Sequence, residues 1–328
     1  MQNKCSATDF QYCFLNYFCT ANMKVYTDID SLPVFTRAVI TTGSFDGVHT
    51  GHAQIIAQLL KEAENINGTP VLITFYPHPK QIVQIKDKPL FVINTPQEKY
   101  VLLQNMGIKN IVVVPFDKSF SELSAQDYIN KFLVQKFNPA IVVVGYDHRF
   151  GNNREGDFEL LKKAGVNNGF EVKEIPEHIL KDITISSTKI RNAIQTGNIE
   201  MAASYLGYDY FFSGKVIQGN RLGRTIGYPT ANVFVENENK LIPADGVYAV
   251  DIQLFERKLK GMMNIGMRPT VDGKQRTIEV NIFNFDEDIY GEDLKITLKK
   301  HLRSEIKFAG LDELKAQLAK DKKDAIGL

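Results

Sequence analysis

"GSFDGVHTGH", residues Gly43 to His52, holds three glycines and two histidines in ten positions. The run before it, "AVITTG" (Ala38 to Gly43), is apolar and β-branched with no charge, which predicts a buried strand. The run after it, "HAQIIAQLLKEAENI", repeats Ile55, Ile56, Leu59 and Leu60 on one face, which predicts an amphipathic helix. The quoted stretch is therefore the turn of a βα unit.

The same alternation continues to about Ile190. Strands are expected at "VLITF" (Val71 to Phe75), "IVVVPF" (Ile111 to Phe116), "AIVVVG" (Ala140 to Gly145) and "FEVKEI" (Phe170 to Ile175). Helix starts stand between them. Thr95 is a cap with Pro96 at the first helical position and Glu98 as its box partner, and Ser124 with Asp127 repeats the device. Short apolar strands alternating with helices predict a parallel, doubly wound, Rossmann-like sheet, which binds ligands beyond the carboxyl ends of its strands. "GSFDGVHTGH" lies at that edge.

From about Ser213 the period becomes two. Tyr248, Val250, Ile252 and Leu254 share one face. Ile278, Val280 and Ile282 oppose Glu279, Asn281 and Phe283, and Leu294, Ile296 and Leu298 repeat the scheme. With turns at "NENK", "PADG" and "VDGK", this predicts an antiparallel β-barrel, closed by a terminal helix at "LDELKAQLAKD". The fold class is α/β followed by a barrel. The expected division is residues 1–22 as a dispensable extension, 23–205 as the sheet domain and 206–328 as the barrel domain.

A length of 328 residues suits two domains, and 44% hydrophobic content suits globular folding. The formal charge of +1 argues against a nucleic-acid partner, and no run of 18 apolar residues predicts a membrane span. Cys5, Cys13 and Cys19 all precede Met23, where a more usual start, "MKVYTDIDSLP", begins. A cysteine-free remainder fits a cytoplasmic setting without disulfides.

The spacing His49-x-x-His52 admits three readings. The histidines could simply cap a helix. They could bind zinc, with His78 or His148 as a further ligand. Or they could serve a phosphate site, where glycines admit backbone N–H groups, a helix start adds its dipole and imidazoles donate. "TFYPHP" (Thr74 to Pro79), "GYDHRFGNNREGD" (Gly145 to Asp157) and "ISSTKIR" (Ile185 to Arg191) also follow apolar runs at the expected edge. Together they favour phosphate.

The set "GSFDGVHTGH … TFYPHP … GYDHRFG … ISSTKIR" resembles the adenylyltransferase half of prokaryotic bifunctional riboflavin kinase/FAD synthetases. The resemblance continues in "GNRLGRTIGYPTANV", "PADGVYA", "GMMNIGMRPT", "IEVNIFNFDEDIYG" and "LRSEIKF", from about Lys24 to the C-terminus. It implies a nucleotidyltransferase domain joining FMN to AMP from ATP, then a barrel that phosphorylates riboflavin. In the first, His49 and His52 would hold ATP phosphates, Gly43, Phe45, Asp46 and Gly47 would shape the nucleotide bed, and Ser187, Thr188 and Arg191 would grip phosphates. His148 departs from the aromatic residue usual in that family motif.

In the barrel, Glu279 is expected as the base for a neutral ribityl hydroxyl, on the strand face opposite Ile278, Val280 and Ile282. Asn281 stands where the family places His. Thr230 and Asn232 of "YPTAN" would hold Mg²⁺ with nucleotide phosphates. Gly219, Gly223 and Gly227 would let the loop close over them, with Arg224 and Arg303 as charge partners. Riboflavin, FMN and ATP are the implied partners, with FMN and FAD as products and no zinc. No nucleic acid, membrane or obligate protein partner is implied. The rival readings are an H-x-G-H nucleotidyltransferase for another substrate, which lacks the PTAN barrel, and a non-catalytic flavin-binding protein, which has no use for a base.

Overall fold

The computed structural model describes residues 23–83, 89–175, 185–219, 222–270 and 273–328. The expected extension, residues 1–22, lies outside them. The chain divides into two compact units, Met1–Ser186 and Ser187–Leu328.

The first unit is built on six strands: β1 (Lys24–Tyr26), β2 (Val39–Thr42), β3 (Pro70–Tyr76), β4 (Asn110–Pro115), β5 (Ile141–Gly145) and β6 (Glu171–Ile175). All neighbours pair in parallel, in the order β1-β4-β3-β2-β5-β6. Alternate residues feed two cores, as a doubly wound sheet requires. Ile40, Ile73, Val112 and Val142 pack on one face with Ile129, Phe132 and Leu161. Val39, Leu72, Ile111 and Ile141 pack on the other with Ile56, Leu59 and Leu103.

Helices α1 (Thr50–Asn65) and α2 (Pro96–Asn105) thus cover one face. Residues 125–137, which run through a π-helical segment at Tyr128–Val134, cover the other with α3 (Phe158–Asn168). The cap at α2 forms as expected: Thr95 Oγ1 accepts from Glu98 N–H at 3.3 Å and Glu98 Oε2 accepts from Thr95 N–H at 2.9 Å. From β2 the chain winds outward through β3 and β4, then returns to β5 and β6 on the opposite side. The order reverses between β2 and β5, so the segments leaving those two strands flank the crevice where such sheets bind ligands.

The second unit begins with α4 (Ser187–Gln195) and α5 (Ile199–Leu206). Six strands follow: β7 (Phe211–Ile217), β8 (Ala231–Phe234), β9 (Gly246–Leu254), β10 (Arg257–Thr270), β11 (Gly273–Ile282) and β12 (Asp293–Arg303). They close an antiparallel barrel in the order β10-β11-β8-β7-β12-β9. Tyr248, Val250, Ile252 and Leu254 are buried, as are Leu294, Ile296 and Leu298. The terminal helix α6 (Leu311–Ile326) packs on β9, β10 and β12.

Strand β11 departs from simple alternation at its end. Alternation suggested a polar face opposite Val280, yet Asn281 is as buried as Ile282, both 6% exposed. Phe283, just past the strand, joins Ala249, Met262 and Ala325 in a small core beneath α6. The two helices before the barrel also group with it. α5 packs on β12, and Ala244 N–H donates to Ile194 O at 3.3 Å. Between them Gly197 turns at φ +76°, where a Cβ would lie 3.3 Å from the Tyr248 hydroxyl. Compact packing thus divides the chain nearer Ser187 than the change of period, because periodicity reports the type of element and not its packing partner.

Candidate active sites

The loop from Gly43 to His49 leaves β2 and turns into α1 through three residues at positive φ: Phe45 at 46°, Gly47 at 88° and Val48 at 35°. A branched residue such as Val48 adopts that region only at a cost of roughly 1–3 kcal/mol, so the surroundings must hold it. Three side chains do so. Asp46 Oδ1 accepts from the N–H groups of Ile93 and Asn94 at 2.9 and 3.4 Å. Thr74 Oγ1 donates to Ser44 O at 3.2 Å. Lys99 Nζ donates to the same carbonyl at 2.8 Å and to Thr74 Oγ1 at 3.2 Å.

The two histidines are brought together at the start of α1. Their rings stack 3.7 Å apart at 19°, and the N–H of His49 donates to Nδ1 of His52 at 3.3 Å. That bond leaves Nδ1 of His52 without a proton, so the neutral ring carries its hydrogen on Nε2. Gly51 explains the third letter of H-x-G-H, since a Cβ there would sit 3.1 Å from Cε1 of His49.

Burial lowers the His49 pKa to about 4, against the pull of Asp46 and Asp147. His52 lies well below the usual imidazole range, from burial first and then from His49 and Lys99. Nδ1 of His49 is buried with no hydrogen-bond partner among the described residues. Two neutral imidazoles at a helix start, one with an orphaned nitrogen, form a polar recess suited to an anion.

Phe45 and Asp46 work from beneath this recess. Phe45 is buried in the core behind α1 with its ring 5.1 Å from that of His52, and Asp46 is held by the 93–94 backbone. His148 follows β5, its ring 5.7 Å from Phe150, and burial lowers its pKa to about 4. Ser187, Thr188 and Arg191 stand in the first turns of α4, which groups with the second unit. Lys99 is the residue that sequence reasoning missed. It follows Glu98 of the capping box, and nothing local marks its ammonium as buried.

In the barrel, the register sets Glu279 opposite Asn232. Thr230 Oγ1 lies 3.4 Å from Glu279 Oε2, and Thr277 Oγ1 lies 3.5 Å from Oε1. Asn281 Nδ2 donates to Pro229 O at 2.6 Å, fixing the residue just before Thr230. Gly219 and Gly223 lie where side chains cannot: a Cβ would fall 2.0 Å from the Asn232 amide nitrogen and 2.2 Å from Tyr228 O. Gly227 turns at φ +84°, in open space.

Thr230 and Asn232 line two cavities of about 440 Å³ each. One also holds Glu279, Asn281 and the apolar Met262, Leu314 and Leu318. The other holds Gly219, Arg224, Phe285 and Tyr290. Arg303 borders the first, but its Nη2 is paired with Asp321 Oδ2 of α6 at 2.8 Å. Among the described residues no group of three or more His, Cys, Asp and Glu could hold a metal ion.

Comparison with known proteins matches two stretches of the chain to two families. The FAD synthetase family covers residues 33–189 and the riboflavin kinase family covers 206–327. The bifunctional riboflavin kinase/FMN adenylyltransferase of Escherichia coli (strain K12) is 40% identical over 284 residues, spanning 86% of this chain and 90% of that protein. The Bacillus subtilis (strain 168) protein of the same description is 37% identical over 298 residues, spanning 88% and 92%.

A crystal structure described as a macrolide-efflux protein from Streptococcus pneumoniae matches with a TM-score of 0.84 and 32% identity, over 94% of this chain and 100% of that one. The efflux description belongs to that protein. Here no helix among the described residues is long and apolar enough to cross a membrane. Both families in one chain, in this order, with relatives matched over nine-tenths of their length, place the chain in the bifunctional riboflavin kinase/FMN adenylyltransferase family.

Proposed function

We propose that this chain converts riboflavin to FMN in its barrel and FMN to FAD in its sheet unit, using ATP for both steps. The observation that carries the reading is Glu279 beside Thr230, 3.4 Å away, where two cavities meet. The cavity with Met262, Leu314 and Leu318 suits a flat apolar ring system, and its neighbour suits a nucleotide. Glu279 takes the proton from the ribityl hydroxyl as its oxygen attacks the γ-phosphorus, and ADP leaves. Thr230 and Asn232 offer the hard oxygens that fit Mg²⁺. Bound there with the nucleotide, the ion would neutralise charge on the β- and γ-phosphates. Asn281 holds Pro229 and so aims Thr230. Arg303 supports the flavin pocket through Asp321.

At the first site the nucleophile is an FMN phosphate oxygen, already ionised near neutral pH, so no base is required. It attacks the α-phosphorus of ATP and pyrophosphate leaves. His49 and His52 hold the phosphates with N–H donors, while the loop from Gly43 to Gly47 supports the nucleotide. The phosphate role proposed for Ser187, Thr188 and Arg191 rests on their motif alone. A cytoplasmic setting is part of the same reading, supported by the absence of cysteine after Cys19.

The test is chromatography of FMN and FAD after incubation with riboflavin and MgATP. Glu279→Gln should slow FMN formation by about two to four orders of magnitude. Conversion of supplied FMN to FAD should continue unchanged. Near-normal FMN formation by that variant would remove Glu279 as base.

A further inference from the structure

We propose that Lys99 is a positioning residue of the adenylyl-transfer site: its ammonium anchors the Ser44 carbonyl and so sets the path of the loop that carries the nucleotide. The inference rests on the reading of the first site given above. It assigns a task to a residue that touches none of the reacting groups.

The geometry is a closed triangle. Lys99 Nζ reaches Ser44 O at 2.8 Å and Thr74 Oγ1 at 3.2 Å, and that hydroxyl reaches the same carbonyl at 3.2 Å. One peptide of the loop is thereby turned inward and held from two elements, the end of β3 and the first turns of α2. The residues that follow, Phe45, Gly47 and Val48, take the positive-φ path that delivers His49 to the start of α1. The hold is reciprocal. Asp46, within the loop, binds the backbone of Ile93 and Asn94, immediately before the α2 cap. Loop and α2 entry therefore clasp each other at two points, one cationic and one anionic.

Packing alone does not call for a charge here. Lys99 is 8% exposed, and its hydrogen bonds go to two neutral oxygens. A buried ammonium so placed is costly relative to an apolar side chain of similar length. Burial lowers its pKa to about 8, with Asp46 opposing the shift, so it remains mostly charged at neutral pH. The charge lies close enough to His52 to help keep that ring neutral. Lys99 thus acts on the site by holding the loop and by placing positive potential beneath the phosphate recess.

Lys99→Met keeps the stem and removes the charge. In the full chain it should lower kcat for FAD formation from FMN by about a hundredfold, the scale of a misplaced binding group, and raise KM for MgATP. The urea unfolding midpoint should not fall, and riboflavin phosphorylation by the same preparation should be unchanged. FAD formation within threefold of the unaltered chain would overturn the proposal. If Lys99→Met does not fold, Thr74→Val decides: it removes one corner of the triangle and should cost about tenfold in the same reaction, and no loss would overturn it. The unaltered chain is assayed alongside. Its failure to make FAD would defeat the functional reading itself, whereas a normal rate there with an unaffected variant defeats only the role of Lys99.

Discussion

Neutral histidines make the first unit sensitive to acid. His49 and His148 have folded pKa values near 4, against about 6.5 in an unfolded chain, and His52 is also lowered. Above pH 6.5 both states are neutral and the contribution is complete. Between 6.5 and 4 the unfolded chain takes up protons that the folded chain refuses, so stability falls as pH falls. His49 and His148 should each cost roughly 1 kcal/mol by pH 5.5, and His52 acts in the same direction. Amide exchange of Val39 to Thr42, corrected for intrinsic rates, should show protection falling between pH 7 and pH 5.5. Flat protection over that range would contradict the neutral assignment. Lys99 shifts in the same sense at higher pH, where stability should rise between about 8 and 10.5.

At the scale of elements, the terminal helix is a wall of the cavity proposed for the flavin and is fastened by one buried pair. Asp321 is 2% exposed and receives Arg303 Nε and Nη2 at 3.0 and 2.8 Å. Gln317 Nε2 adds a bond to Oδ1 at 2.7 Å. Asp321→Ala leaves Arg303 unpaired and should destabilise the barrel by about 3 kcal/mol. Loosening α6 displaces Leu314 and Leu318, so riboflavin should bind at least tenfold more weakly by fluorescence titration. Unchanged affinity would show that the pocket keeps its shape without the clamp.

The elements also show what sequence can reveal. The Thr95–Glu98 box and the Ser124 cap are legible because their partners lie three residues away. Lys99 is not, because its acceptors stand 25 and 55 residues distant. Strand β1, three residues long, is too short to display a period. The small core at Phe283, just past β11, depends on a helix that begins almost thirty residues later.

For the whole molecule, the change of period and the riboflavin kinase family match both begin the second half near residue 206, whereas compact packing divides the chain at Ser187. A fragment starting at Ser213 would cut β7 and discard Phe211 and Phe212, both buried, together with the Tyr210 carbonyl that accepts from Leu298 N–H at 2.8 Å. One starting at Ser187 keeps α4, α5 and every barrel strand. We propose this as the workable boundary. The Ser187–Leu328 fragment should fold cooperatively and phosphorylate riboflavin, and the shorter one should be insoluble or inactive. Equal behaviour of the two, in circular dichroism and FMN yield, would remove α4 and α5 from the barrel's support.

The closed barrel bears on a different matter, the fate of the chain at high concentration. A strand ring has no end strands, but the β10–β11 hairpin runs beyond it, since β9 pairs with β10 only as far as Ile265 and β8 pairs with β11 only at Glu279 and Val280; the parallel sheet adds two rims of its own. One rim, β1, is only three residues long. The other, β6, reads Glu171, Val172, Lys173, Glu174 and Ile175, and its charges of both signs disfavour an incoming strand. Among the described residues, strand addition is thus disfavoured at the sheet rims by shortness and charge, and the extended β10–β11 hairpin is the edge left open to it.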